Sequence, residues 1–356
     1  MLKEVLGWGE FFARQLGPED ADLVWGRVNE ELRGQYEVLT EAGPATALLP
    51  GRWRLDRNRG ADVPAVGDWV GLEKPAGSDK SMIRRLLDRR TKLSRNAAGE
   101  KVQEQVVAAN VDVVFVMSSL NQDLNLRRLE RYLAVVWESG AEPVVILTKS
   151  DLCEDAAGLA ASVKDIAGAA AVLVTSRFDA ASVSSVAERI PRGKTAVFIG
   201  SSGVGKSTLV NLLAGAEVQA TAAIREDDDE GRHTTTSRKL FVLPSGGLVM
   251  DTPGMRELQI WEAAGGVGRT FEDIEAIALR CRFTNCGHES EPGCAIRAAL
   301  ESGELERSRY DSYLKLRAEA AYQTRRVDKS AASQEKERWK KIHKDLRAHV
   351  KGKRGR

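Results

Sequence analysis

Cysteine is scarce in this chain, and long apolar stretches are absent. Of 356 residues only four are cysteine and four histidine. Three of those cysteines crowd between Cys281 and Cys294, which argues against a spread disulfide framework and for a metal site in a reducing compartment. Cys153 stands apart and reads as a small buried hydrophobe. The longest apolar runs, such as VDVVFVM at 111–117, fall far short of a bilayer span, so no membrane-spanning segment is expected. The first residues, MLKEVLGWGEFFARQL, lack the unbroken apolar core and small-residue cleavage site of a signal peptide, and a cytoplasmic protein is expected. No internal repeat is present. Net charge is only +2, yet residues 325–356 hold thirteen Lys or Arg against four Asp or Glu, a local +9 that leaves −7 on the rest. Such a block is either a polyanion-binding tail or a solvated end.

The remaining composition, 42% apolar and 29% charged, is that of an ordinary globular protein, long enough for two or three domains. After an N-terminal extension at 1–20, residues 21–100 contain five short apolar stretches broken by turn residues: DLVWGRV, GQYEVLT, ATALLPG, VGDWVGLE and SMIRRLL. That spacing predicts a small all-β barrel of the oligonucleotide-binding (OB) type, although an SH3-like barrel would show the same pattern. Arg84, Arg85, Arg89, Arg90, Lys92 and Arg95 crowd its far end, as a nucleic-acid face would. Residues 101–264 alternate strands with amphipathic helices and predict an α/β domain with a largely parallel sheet. Within it, LNLRRLERYLAVVWESG places Leu126, Leu129, Leu133, Val136 and Trp137 on one helical face. A helical region around the cysteines follows at 265–325, and the basic tail occupies 326–356.

GSSGVGKS, residues 200–207, rises from the apolar run TAVFI and runs into TLVNLLAG. This strand-loop-helix setting marks a phosphate-binding loop of Gly200, Ser201, Ser202, Gly203, Val204, Gly205, Lys206, Ser207 and Thr208. Its glycines let the backbone wrap closely around phosphate, and amides at a helix N-terminus face the charge. Lys206 is placed to reach the β and γ phosphates, and the Ser207 hydroxyl to ligate Mg²⁺. TKSD, comprising Thr148, Lys149, Ser150 and Asp151, supplies a carboxylate at a strand end. That carboxylate can accept from both the ring N–H and the exocyclic amine of guanine, a pair adenine lacks. Standing alone, the same Asp would serve equally as a helix cap. Ser176, in VTSR, can help hold the guanine carbonyl oxygen. In DTPG, Asp251 reaches Mg²⁺ through water and the Gly254 amide senses the γ phosphate. In GRHTTT, Thr235, with Thr234 next in line, is the candidate switch ligand to Mg²⁺; the acidic run Glu226–Glu230 reads as solvated loop.

Ordinary GTPases run phosphate loop, switch I, switch II, base loop. Here the base loop comes first, which a circular permutation explains without moving any element in space. With TKSD, VTSR, GSSGVGKS, GRHTTT and DTPG in this order, flanked by a barrel and a Cys-His cluster, the chain resembles the RsgA (YjeQ) family over about residues 20–325. The resemblance implies a monomeric cytoplasmic GTPase, stimulated by the 30S subunit late in that subunit's maturation. It further implies 16S rRNA as partner, with no DNA expected, and GTP/GDP with Mg²⁺ in the site. Met255 occupies the place where many GTPases carry a water-orienting Gln. His233 is the candidate for that role, in line with the family's matching histidine. Cys281, Cys286, His288 and Cys294 offer four ligands within fourteen residues, a closed shell for one structural Zn²⁺. Two other readings compete: an RNA-binding, GTP-dependent switch with little hydrolysis of its own, and a P-loop kinase, against which TKSD and DTPG both argue.

Overall fold

The computed structural model describes residues 2–32, 34–51, 53, 63–75, 77–96, 104–121, 124–217, 238–251 and 264–327. Five strands form the barrel: β1 (Val24–Leu32), β2 (Gln35–Thr40), β3 (Gly43–Leu48), β4 (Trp69–Glu73) and β5 (Ser81–Leu86). They pair in the order β1-β2-β3-β5-β4, and β4 returns to β1 with Val24 opposite Leu72. The parallel β3–β5 pair and this closure match an OB-type barrel rather than an SH3-like one. Alternating side chains put Val28, Tyr36, Val38, Ala47, Val70, Leu72 and Ile83 in its interior.

The N-terminal extension closes one end of this barrel. Helices α1 (Leu2–Val5) and α2 (Glu10–Ala13) deliver Leu6, Trp8 and Phe12 onto Trp25 and Trp69, with Trp8 edge-on to Trp69 at 4.7 Å between centroids. Arg27 is buried beneath them. Its guanidinium donates to the carbonyls of Leu6 (2.6 Å), Gly67 (3.0 Å) and Asn110 (3.0 Å), tying extension, barrel and the start of the next domain together. Burial pushes Arg27 down to about 10, which leaves it charged at neutral pH.

A hairpin of β6 (Lys92–Asn96) and β7 (Glu104–Ala109) leads into the α/β domain. There β8 (Val113–Ser119), α3 (Leu126–Ser139), β9 (Glu142–Thr148), α4 (Ala156–Ala167), β10 (Ala171–Val174) and α5 (Ala180–Ala187) follow one another. Next come β11 (Thr195–Gly200), α6 (Lys206–Ala214), β12 (Lys239–Val242) and β13 (Leu248–Asp251). The sheet order is β10-β9-β8-β11-β13-β12, parallel except for β12. Continuous apolar runs make the central strands, because helices cover both faces. β12 also pairs antiparallel with β1 of the barrel, Glu30 opposite Lys239, so both domains share one eleven-stranded sheet.

Of the C-terminal helices α7 (Ala264–Thr270), α8 (Glu272–Ala278), α9 (Ala295–Ser302) and α10 (Arg307–Val327), α7 and α10 pack on α3, and α8 packs on α7 and α9. Gly266 permits the close approach: a Cβ there would sit 1.9 Å from the Ala134 carbonyl oxygen. The apolar stripe of α3 buries Leu129, Leu133 and Val136 as its periodicity predicts, but Glu130 is buried with them. Its carboxylate is answered by Arg127, by Arg309 at 2.9 Å and by the Ser312 hydroxyl at 2.6 Å. No helix among the described residues is long and apolar enough to cross a membrane.

The basic cluster at the end of the barrel differs from the sequence expectation. Arg84 pairs with Glu73, Arg85 with Asp20, Arg89 with Asp68 (2.7 Å), Arg90 with Asp112 and Lys92 with Glu104 (2.7 Å). Arg95 donates to Gln105 at 3.0 Å. Arg85 reaches the extension, Arg89 the barrel and Arg90 the next domain, whereas Arg84 pairs within the barrel, Lys92 within the hairpin, and Arg95 meets a neutral amide.

Candidate functional site

β8, β9, β10, β11 and β13 run parallel, so the loops leaving their C-terminal ends open on one edge of the sheet, where α/β proteins bind ligands. TKSD leaves β9 and GSSGVGKS leaves β11, with only β8 between them. The two loops touch: the buried Thr148 hydroxyl donates to the Val204 carbonyl at 2.7 Å. Thr148, expected as a nucleotide contact, thus turns its side chain to the phosphate loop, while its carbonyl accepts from the Leu120 amide at 2.9 Å.

In the phosphate loop, Gly203 (φ 73°) and Gly205 (φ 101°) adopt left-handed backbone in open space. Here the conformation itself demands glycine. Gly200 also has positive φ (147°), and has a steric reason besides. It ends β11, and a Cβ on it would lie 2.4 Å from the Met117 carbonyl oxygen, so it serves the approach of β8. Val204 is buried and anchors the loop; Ser201, Ser207 and Thr208 are half-buried, and Ser202 is exposed. The Lys206 ammonium donates to the carbonyls of Gly200 (2.7 Å) and Ser201 (2.6 Å), which holds it across the loop. The loop therefore presents backbone amides, a hydroxyl pair and one cation at the start of α6, a set suited to a polyphosphate.

On the base side, Lys149 takes left-handed backbone (φ 58°) and starts the short 3-10 turn Ser150–Leu152. This turn sets Asp151 exposed at the strand end, where its Oδ1 accepts from the Ser176 hydroxyl at 2.6 Å. Ser150 donates its amide to the Thr175 carbonyl at 3.2 Å, which locks the two loops together. Ser182 of α5 was missed by sequence reasoning: its hydroxyl accepts from the Ser176 amide (3.2 Å) and donates to the Asp179 carbonyl (2.8 Å). A serine in the Ala/Ser-rich stretch ASVSS carries no signal of that job.

Asp251 is the last residue of β13, at the same sheet edge, with its backbone opposite Lys239. His233, Thr234, Thr235, Gly254 and Met255 lie outside the described residues.

Far along the chain, the Cys281, Cys286 and Cys294 sulfurs and a His288 ring nitrogen all lie within 4.8 Å of one another. His288 Nδ1 is 3.6 Å from the Cys281 sulfur and 3.5 Å from that of Cys294, spacings that fit ligands around one tetrahedral cation. Burial raises the Cys281 thiol, but the amides of Ala295 and Ile296, together with hydrogen bonds from Cys286 and Cys294, hold it below its ordinary value. Glu291 braces the ligand loop by accepting from the amides of Gly287 (2.7 Å), Glu289 (3.0 Å) and Ser290 (3.1 Å). The donor chemistry, three soft sulfurs and one imidazole, fits a structural metal site with no open position.

Comparison with known proteins agrees with this geometry. The model of a family described as RsgA GTPase matches residues 86–261. The small ribosomal subunit biogenesis GTPase RsgA 2 of Vibrio parahaemolyticus is 47% identical over 318 residues, 89% of this chain and 85% of the relative. Among solved structures, YjeQ from Thermotoga maritima superposes with a TM-score of 0.62 at 26% identity, covering 84% of this chain and 98% of that one. YloQ, titled a circularly permuted GTPase, gives 0.58 at 26% identity, covering 86% and 97%.

Proposed function

This chain belongs to the RsgA GTPase family and is a circularly permuted GTPase, and from that premise we propose that it hydrolyses GTP in the service of small-subunit maturation, in contact with 16S rRNA. What supports the reading most is the Thr148–Val204 hydrogen bond. It sets a guanine-reading loop and a phosphate-reading loop side by side although their sequence order is reversed.

On this reading Asp151 accepts the two guanine donors and Ser176 steadies both the carboxylate and the base carbonyl. Lys149 packs along the base. The amides of residues 201–208 and the Lys206 ammonium neutralise the phosphates, Lys206 releasing its own loop carbonyls as GTP enters. Mg²⁺ bound with the nucleotide would offset charge on the β and γ phosphates. Hard oxygen donors suit that ion, and Ser207, Thr235 and, through water, Asp251 would hold it. Gly254 senses the γ phosphate by its amide. His233 orients the attacking water, because the Met255 thioether can neither donate to nor accept a proton from it. Cys281, Cys286, His288 and Cys294 would hold one structural Zn²⁺, which fastens a lobe whose own apolar core is slight.

The division that goes with this function is extension 1–20, OB barrel 21–100, GTPase 101–264, zinc lobe 265–325 and basic tail 326–356. The barrel, the lobe and the tail face rRNA, and the protein works as a cytoplasmic monomer. GTP turnover measured with and without purified small subunits tests the proposal: a large increase with subunits is expected, and equal rates overturn it. Normal GTP binding with lost subunit-stimulated turnover in His233→Ala is expected; an unchanged rate removes that residue from the mechanism.

A further inference from the structure

In the proposed site Asp151 and Ser176 would address the edge of a guanine, which leaves its face to another group. Phe178 is 72% exposed and Leu152 is 66% exposed; Leu152 follows Asp151 in sequence, and Phe178 is tied to its carboxylate through one hydroxyl. Single exposed apolar side chains are common on protein surfaces. Phe178 stands out in how firmly it is held. Its amide donates to the Ser176 hydroxyl at 3.2 Å, and that same hydroxyl donates to Asp151 Oδ1 at 2.6 Å. One oxygen atom thus links the backbone of Phe178 to the base-reading carboxylate.

The turn carrying the ring is braced from several sides. Asp179 donates its amide to the Ser176 carbonyl at 3.1 Å, and its side chain caps α5 through the Ala181 amide at 3.0 Å. The Ser182 hydroxyl lies 2.8 Å from the Asp179 carbonyl and 3.3 Å from that of Ser176, its single proton going to one or shared between them. A slack loop would let the ring collapse onto α5; this one keeps it in solvent. The Arg177 guanidinium lies 4.5 Å from the ring centroid, so one face carries a cation and the exposure belongs to the remainder of the ring.

We propose that Phe178 is the base-stacking residue of the nucleotide site, its free face lying flat on the purine while Asp151 takes the purine's edge. The inference rests on the guanine reading of Asp151. Every base has a π face, so the ring adds affinity and the carboxylate does the choosing. The two effects separate in experiment.

Calorimetric titration of the full-length protein with GDP, inosine diphosphate and ADP tests this. In Phe178→Ala, affinity for GDP falls about tenfold, and inosine diphosphate, which lacks the exocyclic amine, falls by the same factor. Phe178→Tyr stays within about threefold of wild type because the π face is kept. In Phe178→Trp, GDP quenches the added indole fluorescence and tripolyphosphate does not. Wild-type affinity for GDP in Phe178→Ala, or an indole in Phe178→Trp that is indifferent to GDP, overturns the stacking role while leaving the guanine site intact. Wild-type protein that binds ADP as tightly as GDP removes the guanine reading itself, and the stacking role with it.

Discussion

Glu130 of α3, fully buried, accepts from Arg309 of α10 at 2.9 Å across the seam between the nucleotide-binding sheet and the C-terminal helices. Arg309 continues to Asp273 of α8 (2.7 Å) and lies over the Phe271 ring (4.9 Å to its centroid). The C-terminal lobe is therefore clamped to the helix between β8 and the base-reading strand β9.

Removing one member of a buried pair leaves an uncompensated charge. Arg309→Met is expected to destabilise the protein by about 3–5 kcal/mol, and Glu130→Met combined with Arg309→Met by much less. Urea unfolding of the two variants decides it; equal losses would mean that the charges are not coupled.

The Thr148 hydroxyl joins the two nucleotide loops and Thr148→Val deletes that bond at nearly constant volume. A net loss of about 0.5–1.5 kcal/mol corresponds to a roughly 2–10-fold weaker GDP affinity. Calorimetric titration reads it directly. An affinity equal to wild type would show that the loops keep their relative position unaided.

These two contacts mark where sequence reading ended. The phosphate and base loops were legible because their chemistry is local: three glycines, a lysine and a carboxylate at strand ends fix the backbone around them. Five barrel strands and the alternating domain were legible from period and turn residues. Glu130 was not, since it interrupts an apolar stripe and its partner lies 179 residues on. The pairing of the basic cluster at the end of the barrel was hidden for the same reason. Its density shows in a short window, but the acids that neutralise it come from strands and turns as far as 65 residues away.

One zinc ion per chain is expected by elemental analysis of the purified protein. Chelation, or Cys294→Ser at the buried ligand, should speed hydrogen exchange across α9 while the amides of β11 and α6 keep their protection. Unchanged exchange in α9 after metal loss would make the cluster dispensable to the lobe.

Because Arg84 is paired with Glu73 and Arg95 is bonded to Gln105, Arg84→Ala and Arg95→Ala should leave the salt dependence of RNA binding as it is. Deletion of residues 326–356 should flatten it, as fewer counterions are released. Filter binding across a salt series separates the two; a slope untouched by the deletion assigns the tail to solvent.

The amide of Gly287, followed by those of its neighbours, holds the Glu291 carboxyl down to about 2 from an ordinary 4.5. A depressed carboxylate contributes its ordering in full above the unfolded value and loses it as pH falls through the folded one. The Glu291 contribution should thus be indifferent to pH from 5 upward. Carbon NMR of the Glu291 carboxyl should place the midpoint near 2, and one near 4.5 would show the amides are not bonded to it.

Because β12 meets β1 edge to edge, the nucleotide-binding half does not end in a finished border. Severed from the barrel, it would show solvent an open row of amide and carbonyl groups along Lys239–Val242, ready to recruit a stray strand. The barrel is thus a guard against self-association, and excised GTPase domains should be the ones that precipitate.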